Sequence, residues 1–443
     1  MPRVFVAANT WRASRTRHRP SSPGHLPQRR SDGSSVKPGR AANHQQGAIL
    51  VLNAGSSSLK FSLFQPDEAV ALQRIEEGEI SGIGHEPRWR LRTGAGQVTD
   101  ERSLTPAEAG EMEAAIGLLC GWLRGRLADA ALLAVGHRVV HGGVDHAAPV
   151  RVDAALLATL ERLIPLAPLH QPHNLAAIRA IEALWPQVPQ VACFDTAFHR
   201  SHSQLADLYA LPWEHYVAGV RRYGFHGLSC EYIADRLHQV APAIAGGRVI
   251  VAHLGSGASL CALRAGRSID STMGFSPLDG LPMGSRCGAI DPGVLLYLAG
   301  ERGMSFEELE RLLYRQSGLL GLSGLSGDMR TLLASSEPRA QLAVDHFVQR
   351  TAREIGALTA MLGGVDALVF TGGMGENSPL IRQRIVTASA WLGMALDETA
   401  NRRGAACITA AGSPVSAWCL PTDEALVIAR HTRAVVLDVE PAG

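Results

Sequence analysis

The sequence predicts an α/β fold, and three observations carry that reading. Apolar runs of strand length alternate with helix-like segments from Ala48 to the end of the chain. Two such runs, Ala48-Ile-Leu-Val-Leu52 and Val249-Ile-Val-Ala-His253, each lead through a Gly/Ser turn into a second apolar run. A third, Ala367-Leu-Val-Phe370, ends in Thr371-Gly-Gly-Met-Gly-Glu-Asn377. At 443 residues the chain exceeds one small core, so two domains are expected.

In chain order, the apolar runs predict strands at Ile49–Asn53, Leu133–His137, Val191–Phe194, Val249–His253 and Ala367–Thr371. Helices are expected over Pro106–Leu127, Ala154–Leu163, Asn174–Leu184, Ser229–Leu237, Ser305–Gln316 and Pro338–Leu362. The stretch Asp195–Tyr223 reads as a motif-bearing connection where one domain hands over to the next. Residues 1–47 stand apart. They are rich in Arg, Ser, Pro and His, with Asp32 as the one acid, and lack sustained periodicity. They read as a disordered or misassigned extension; transit-peptide composition is present without an amphipathic stripe.

Composition excludes several function classes. A formal charge of +1 offers no electrostatic reason for a nucleic-acid or anionic-membrane partner. No apolar run is long enough to cross a bilayer. The seven cysteines are scattered without a C-x-x-C pair, which points to reduced thiols and a cytoplasmic location.

The first turn carries the sharpest chemical hint. Only two lysines occur, Lys37 and Lys60, and Lys60 closes Asn53-Ala-Gly-Ser-Ser-Ser-Leu-Lys60. A hairpin tip of small residues offers backbone N–H groups and hydroxyls to phosphate oxygens, and an ammonium adds a point charge. An ordinary hairpin with a solvated lysine is the bland alternative. Three such turns at the ends of buried strands suggest two facing half-sites that grip a nucleotide. No G-x-x-x-x-G-K-[ST] is present, so the chain is not a P-loop protein.

Further strings extend the pattern: Gly136-His-Arg-Val-Val-His-Gly-Gly143, Pro168-Leu-His-Gln-Pro172, Phe194-Asp-Thr-Ala-Phe-His199 and Arg222-Tyr-Gly-Phe-His-Gly227. Met273-Gly-Phe-Ser-Pro-Leu278, Met283-Gly-Ser-Arg286, Ser326-Gly-Asp-Met-Arg330 and Pro421-Thr-Asp-Glu424 follow. Together, in matching order from about Ile49 to near the C-terminus, they resemble the acetokinase family within the acetate and sugar kinase/Hsp70/actin superfamily. The resemblance implies two actin-like (ribonuclease H-like) α/β domains with a nucleotide cleft between them. Their expected bounds are 48–194 with 425–443, and 195–424. It also implies reversible, Mg2+- (or Mn2+-) dependent in-line phosphoryl transfer between ATP and acetate, in a homodimer.

That chemistry suits these residue types. Acetate, with a pKa near ~4 to 5, is already an anionic nucleophile at neutral pH and needs no general base. The difficulty is bringing it to a polyanion, so positive charge and positioning should dominate. By resemblance, Arg138 and Arg286 orient the carboxylate and stabilise the transferring group, with Asp195, His226 and His170 as further catalytic residues. Asn53 and Glu424 match the metal-associated pair. Ser56, Ser58 and Lys60 would line the first phosphate turn, and His253, Gly255, Ser256 and Gly257 the second. Asp328, Met329 and Arg330 match nucleoside contacts, with Gly373, Met374, Gly375, Glu376 and Asn377 as the floor. Val140, Leu169, Phe225 and Pro277, with Arg138, match a small pocket for the acetate methyl.

Four positions depart from the family pattern. Ser256 replaces an asparagine in H-L-G-N-G, and Cys230 the second histidine of H-G-T-S-H. Gln171 replaces an asparagine in P-L-H-N-P, and Ala289 an acid after Arg286. These leave open a propionate- or butyrate-preferring carboxylate kinase and a nucleotide-binding homologue without turnover. An actin- or Hsp70-like nucleotide module would instead require a partner-binding domain, and none is visible.

Overall fold

The computed structural model describes residues 47–66, 71–127 and 131–437. Residues 1–46 of the N-terminal extension lie outside these. Gly47, assigned to the extension from sequence, already belongs to the first strand.

β1 (Gly47–Ala54) is buried at all but one position, as expected of a central strand covered on both faces. It pairs antiparallel with β2 (Ser58–Pro66) through the Gly55–Ser57 turn and parallel with β6 (Ala131–Val139). The chain between them forms a meander: β3 (Leu72–Ser81), β4 (Arg88–Thr93) and β5 (Val98–Ser103). With β7 (Val150–Arg151) and β8 (Gln190–Phe194), the first sheet runs β5-β4-β3-β2-β1-β6-β8-β7. The second contains β9 (Arg248–Leu254), β10 (Ala258–Arg264), β11 (Arg267–Ser271), β12 (Ala367–Thr371) and β13 (Ser416–Cys419). Its order is β11-β10-β9-β12-β13.

The echo read between the two Gly/Ser turns is therefore topological. In each sheet an antiparallel meander lies beside two parallel strands, and β3-β2-β1-β6-β8 is matched by β11-β10-β9-β12-β13. The helices interchange. Glu424–Leu437, the last helix described, lays Val427, Ile428 and Ala429 against Ile49, Val51, Val191 and Cys193 of the first sheet. Gly227–Val240 follows β8 yet packs Ile233, Ala234 and Leu237 against Val249, Val251 and Val369 of the second. On the other faces, Met112–Leu127 covers the first sheet through Leu119 and Leu123. Pro338–Leu362 covers the second through Val344, Phe347 and Ile355.

All five strands expected from sequence are present, and five of the six helices, Pro338–Leu362 with the expected bounds and the other four with shifted ends. The predicted helix Pro106–Leu127 is two helices. Thr105 and Glu108 form a capping box on the short helix Pro106–Ala109, which stops at Gly110, and Met112–Leu127 starts anew. Gln171–Leu184 starts three residues earlier than expected, with Pro172 in its first turn. The turn expected at Gly372–Asn377 is a short helix. Gly372 enters it at φ 77°, and the Glu376 carboxylate accepts from the Gly372 N–H at 2.9 Å. Buried Arg382 holds its far end, donating to the carbonyls of Gly375 and Glu376, both at 2.8 Å.

Six strands, β3, β4, β5, β7, β11 and β13, were not expected from sequence, and the first three form the charged edge of the first sheet. β5 is exposed throughout, and β3 and β4 mix charge with apolar residues. Cross-strand pairs of opposite charge account for them: Glu79 lies opposite Arg90, Glu77 opposite Arg92, and Arg90 opposite Glu101. The same charges blunt an otherwise open sheet edge.

Two histidines on and just after β6 belong to the core rather than to chemistry. His137 bonds Gln190 at 2.7 Å, and burial pushes its pKa down to about 4. Burial and Arg200 push His141 down to about 3. Both are neutral when folded and take a proton near pH 6.5 when unfolded, so stability is lost as pH falls from about 6.5 toward 4. Urea midpoints should therefore drop between about pH 7.5 and 5. His137→Gln should show a shallower drop, and identical slopes in the two proteins would contradict this account.

Candidate active site

The strand ends converge on Arg138. It sits near the end of β6, beside Asn53 near the end of β1 and Asp195 just past β8. Its fork donates to both Asp195 oxygens, Nε to Oδ1 at 2.9 Å and Nη2 to Oδ2 at 2.5 Å. Nη1 donates to Asn53 Oδ1 at 3.3 Å, and Glu424 Oε2, at the start of the last helix, lies 3.7 Å from Nε. Burial opposes the guanidinium charge, but Asp195 and Glu424 hold its pKa above the ordinary value. Asp195 is 1 % exposed. Burial and Glu424 push its carboxyl up while Arg138 pulls it down. The two-point bond to a permanent cation keeps it ionised.

A second group gathers on β9, β10 and the helix Gly227–Val240. His226 precedes that helix with φ 57°, a conformation rare for a residue with a side chain. Its ring stacks on His253 with centroids 4.3 Å apart. The turn Gly255–Gly257 lies against both rings. An ideal Cβ on Gly257 would come within 3.1 Å of His226 Nε2, and one on Gly255 within 3.7 Å of His253 Nε2. A side chain at residue 257 would therefore crowd the His226 ring, which would have to give by a few tenths of an ångström. The same built Cβ lies 3.8 Å from Arg286 Nη1.

Charge links the two groups. Burial, then Arg286 and Arg138, lower the His170 pKa to about 4. Burial, with His253, Arg138 and Arg286, puts His226 well below its ordinary value. Burial and Arg138 bring His253 to about 4 against the opposing pull of Asp195. All three rings are neutral hydrogen-bonding groups at pH 7. Arg286 donates to the Pro277 carbonyl at 3.0 Å and has no ion pair with an acid among the described residues.

The structure thus brings Arg138, Asp195, Asn53 and Glu424 into one set, and His226, His253, Gly255, Gly257 and Arg286 into another. Ser256 joins through its carbonyl, which accepts from the Gly284 N–H at 3.3 Å, and Gly284 abuts the Gly327 carbonyl beside Asp328. Gly373 lies against Gly255. Val140 and Phe225 share one apolar cluster, Pro277 is buried, and Leu169 is half-buried in the turn carrying His170.

Other assigned residues have structural partners. Asp328 caps the helix Met329–Ala334, accepting from the Arg330 and Thr331 N–H groups at 2.7 and 3.3 Å, and pairs with the Arg330 side chain at 2.9 Å. Met329 is buried in the core. Glu376 also accepts from the Thr422 N–H at 3.2 Å, and Asn377 donates to the Gly373 carbonyl at 2.9 Å. Met374 packs on the core, and Gly375 gives its carbonyl to Arg382. Ser56 is exposed in the first turn, Ser58 opens β2, and exposed Lys60 lies opposite Asn53 in the β1–β2 register.

Three residues escaped the sequence reading. Buried Asn174 accepts from the Val140 N–H at 3.0 Å and donates to the Ala54 carbonyl at 2.8 Å, tying the pocket to the first turn. Ser259 and Ser229 bond His226 and His253 at 2.9 and 2.8 Å. Ser259 had a signal: it is the lone polar residue in Ala258-Ser-Leu-Cys-Ala-Leu263.

No group of three or more His, Cys, Asp or Glu side chains forms a metal cage among the described residues. Two carboxylates and an amide around one guanidinium nevertheless leave negative charge and oxygen donors in excess. That set suits a hard cation held chiefly by ligand phosphates and water.

Comparisons with known proteins agree with this arrangement. The acetokinase family model matches residues 48–430. The acetate kinase of Nitrobacter hamburgensis is 55% identical over 391 residues, 88% of this chain and 96% of that protein. That of Rhizobium meliloti is 54% identical over 389 residues, 88% of this chain and 98% of that one. Among solved structures, a propionate kinase from Francisella tularensis superposes with a TM-score of 0.81 at 36% identity, covering 88% of this chain and all of that one (100%). Porphyromonas gingivalis acetate kinase gives 0.78 at 34% identity, with 88% and 100% covered. The interchanged helices, the paired sheets and this length of match lead to one conclusion: the chain belongs to the acetokinase family of kinases.

Proposed function

We propose that the protein transfers the γ-phosphoryl group of ATP to acetate, reversibly, giving acetyl phosphate and ADP. One observation carries this reading: Arg286 is a half-buried guanidinium without an acidic partner among the described residues, close to the glycine turn and His226. Burial pushes its pKa down, so an anion placed there would be welcomed. Arg138, by contrast, is already held by Asp195 and Asn53, and its rigid fork would orient a carboxylate rather than merely attract one.

The chemistry follows from the charges. The acceptor carboxylate attacks phosphorus in line, and the bond to the ADP oxygen breaks with its electrons leaving on ADP. No proton has to move. Arg286 offsets charge growing on the phosphoryl oxygens, and His226, being neutral, offers a hydrogen bond. Mg2+ (or Mn2+) bound with the triphosphate would be held by Asn53 and Glu424, with Asp195 behind them, and would neutralise phosphate charge. The turns Ser56–Ser58 with Lys60, and Gly255–Gly257, would receive phosphates. Asp328–Arg330 and Gly373–Asn377 would border the nucleoside. The two sheets would then be cores of two domains, 48–194 with 425–443 and 195–424, closing over the nucleotide.

Val140, Leu169, Phe225 and Pro277 set the acceptor size. Trapping acyl phosphate with hydroxylamine, using acetate, propionate and butyrate side by side, tests the reading. Acetate should react best and butyrate least, with propionate slower by about 10- to 200-fold, since one methylene is worth about 1–3 kcal/mol. A butyrate preference would overturn the pocket assignment. Folded protein that binds ATP and makes no acyl phosphate would overturn the kinase reading.

The same reading makes the protein a cytoplasmic homodimer that uses small-molecule substrates. All seven cysteines are free, and no helix among the described residues is long and apolar enough to cross a membrane. Pro292–Gly300, sequence PGVLLYLAG, buries none of its residues, and Leu296 is 75% and nearby Phe306 76% exposed. So apolar a helix calls for a cover, and a second copy is the occupant proposed. Leu296→Glu should shift the sedimenting species from dimer to monomer; an unchanged dimer would place the interface elsewhere.

A further inference from the structure

His226 combines an unfavourable backbone with a fixed ring. Only it and Ala265, among described residues other than glycine, have positive φ. Such strain persists where surrounding contacts over-determine it. Nε2 of its ring faces the glycine turn, and Nδ1 lies 2.9 Å from Oγ of Ser259. Ser259 is on β10, two residues beyond Gly257, and is 1% exposed.

A hydroxyl so enclosed must give its proton to a protein acceptor. Among the described residues, the one hydrogen-bond partner of the Ser259 hydroxyl is Nδ1 of His226. The His226 ring is neutral, so it carries a single proton. With the serine donating to Nδ1, that proton sits on Nε2 and points at the turn. The stacked neighbour shows the contrasting case. Ser229, 2.8 Å from Nδ1 of His253, donates onward to Thr422 Oγ1 at 2.9 Å. That serine therefore has a second hydroxyl partner, which Ser259 lacks among the described residues.

We propose that Ser259 is a positioning residue: its hydroxyl donates to Nδ1 of His226 and locks the ring as the Nε2–H tautomer, presenting a donor to a phosphoryl oxygen at the Gly255–Gly257 turn. The ligand in this statement rests on the kinase reading; the tautomer does not. A donor already in place needs no rearrangement as charge builds on the phosphoryl group, which is where its worth lies.

The test uses the full-length protein labelled with 15N-histidine, with His226 assigned by its absence in His226→Gln. Long-range 1H–15N spectra at neutral pH should show His226 as Nε2–H in the wild type and as a mixture or Nδ1–H in Ser259→Ala. Acyl-phosphate formation in Ser259→Ala should lose about 10- to 100-fold in kcat, the range for an outer partner that orients a histidine. KM for ATP and for acetate should move less than about threefold, and Ser259→Thr should restore both tautomer and kcat. Should Ser259→Ala fail to fold, Ser259→Cys keeps the volume with a weaker donor and serves the same comparison. An Nδ1–H wild-type ring, or an unchanged tautomer and kcat in the variant, would overturn the proposal. A wild type that is Nε2–H yet makes no acyl phosphate would sink the kinase reading and leave the tautomer lock supported.

Discussion

The site is organised by a charge that has to be shared. Arg138 lies on a buried strand with Asp195 bonded to two of its nitrogens, Asn53 to a third, and Glu424 close by. A guanidinium in that position is tolerable because its partners are fixed, and each partner comes from a different segment. Asn53 ends β1, Asp195 follows β8, and Glu424 begins the last described helix. Breaking the set would strand a charge, while β1, β6 and β8 would stay joined through their backbone ladder.

The topology explains why those segments meet. Parallel β1, β6 and β8 end on the same edge of their sheet, so Asn53, Arg138 and Asp195 arrive together without long side-chain reach. The second sheet repeats the order, and its β9, β10 and β12 carry His253, the Gly255–Gly257 turn and the Gly372–Asn377 helix in the same way. The interchanged helices join the two halves. One starts beside His226 and serves the second sheet, while the other starts at Glu424 and serves the first. Apart from Arg286, which lies in the loop between β11 and the helix Pro292–Gly300, these candidate groups sit at or near the ends of regular elements, where backbone direction sets their place.

Much of this could be read from the chain. Buried strands announce themselves as unbroken apolar runs, and the residues after them, Asn53, Asp195, His253 and the glycines of residues 255 and 257, are visible as polar or small interruptions. Arg138 and Arg286 stood out through the strings around them. What stayed hidden depended on partners distant in sequence. β3–β5 combine Glu–Arg pairs across strands with a few core residues, Ile80, Trp89 and Leu91, and the short alternation in β4 is masked by the arginines around it. Asn174 looks like an ordinary helix residue until its side chain is seen to bond β1 and the end of β6. Asp328 and Glu376 were readable as polar motif residues, but their carboxylates are engaged by backbone N–H groups, a local use that the motif strings do not reveal.

The geometry of the Arg138 fork, beyond its charge, is the central claim. The most direct measurement is acyl-phosphate formation from ATP and acetate by Arg138→Lys beside the wild type, with folding checked by thermal unfolding. Lysine keeps the positive charge but not the planar set of donors that spans Asp195 and Asn53. A folded variant slowed by about 100-fold or more would agree with the account. A folded variant turning over at close to the wild-type rate would show that charge alone suffices, and would contradict it.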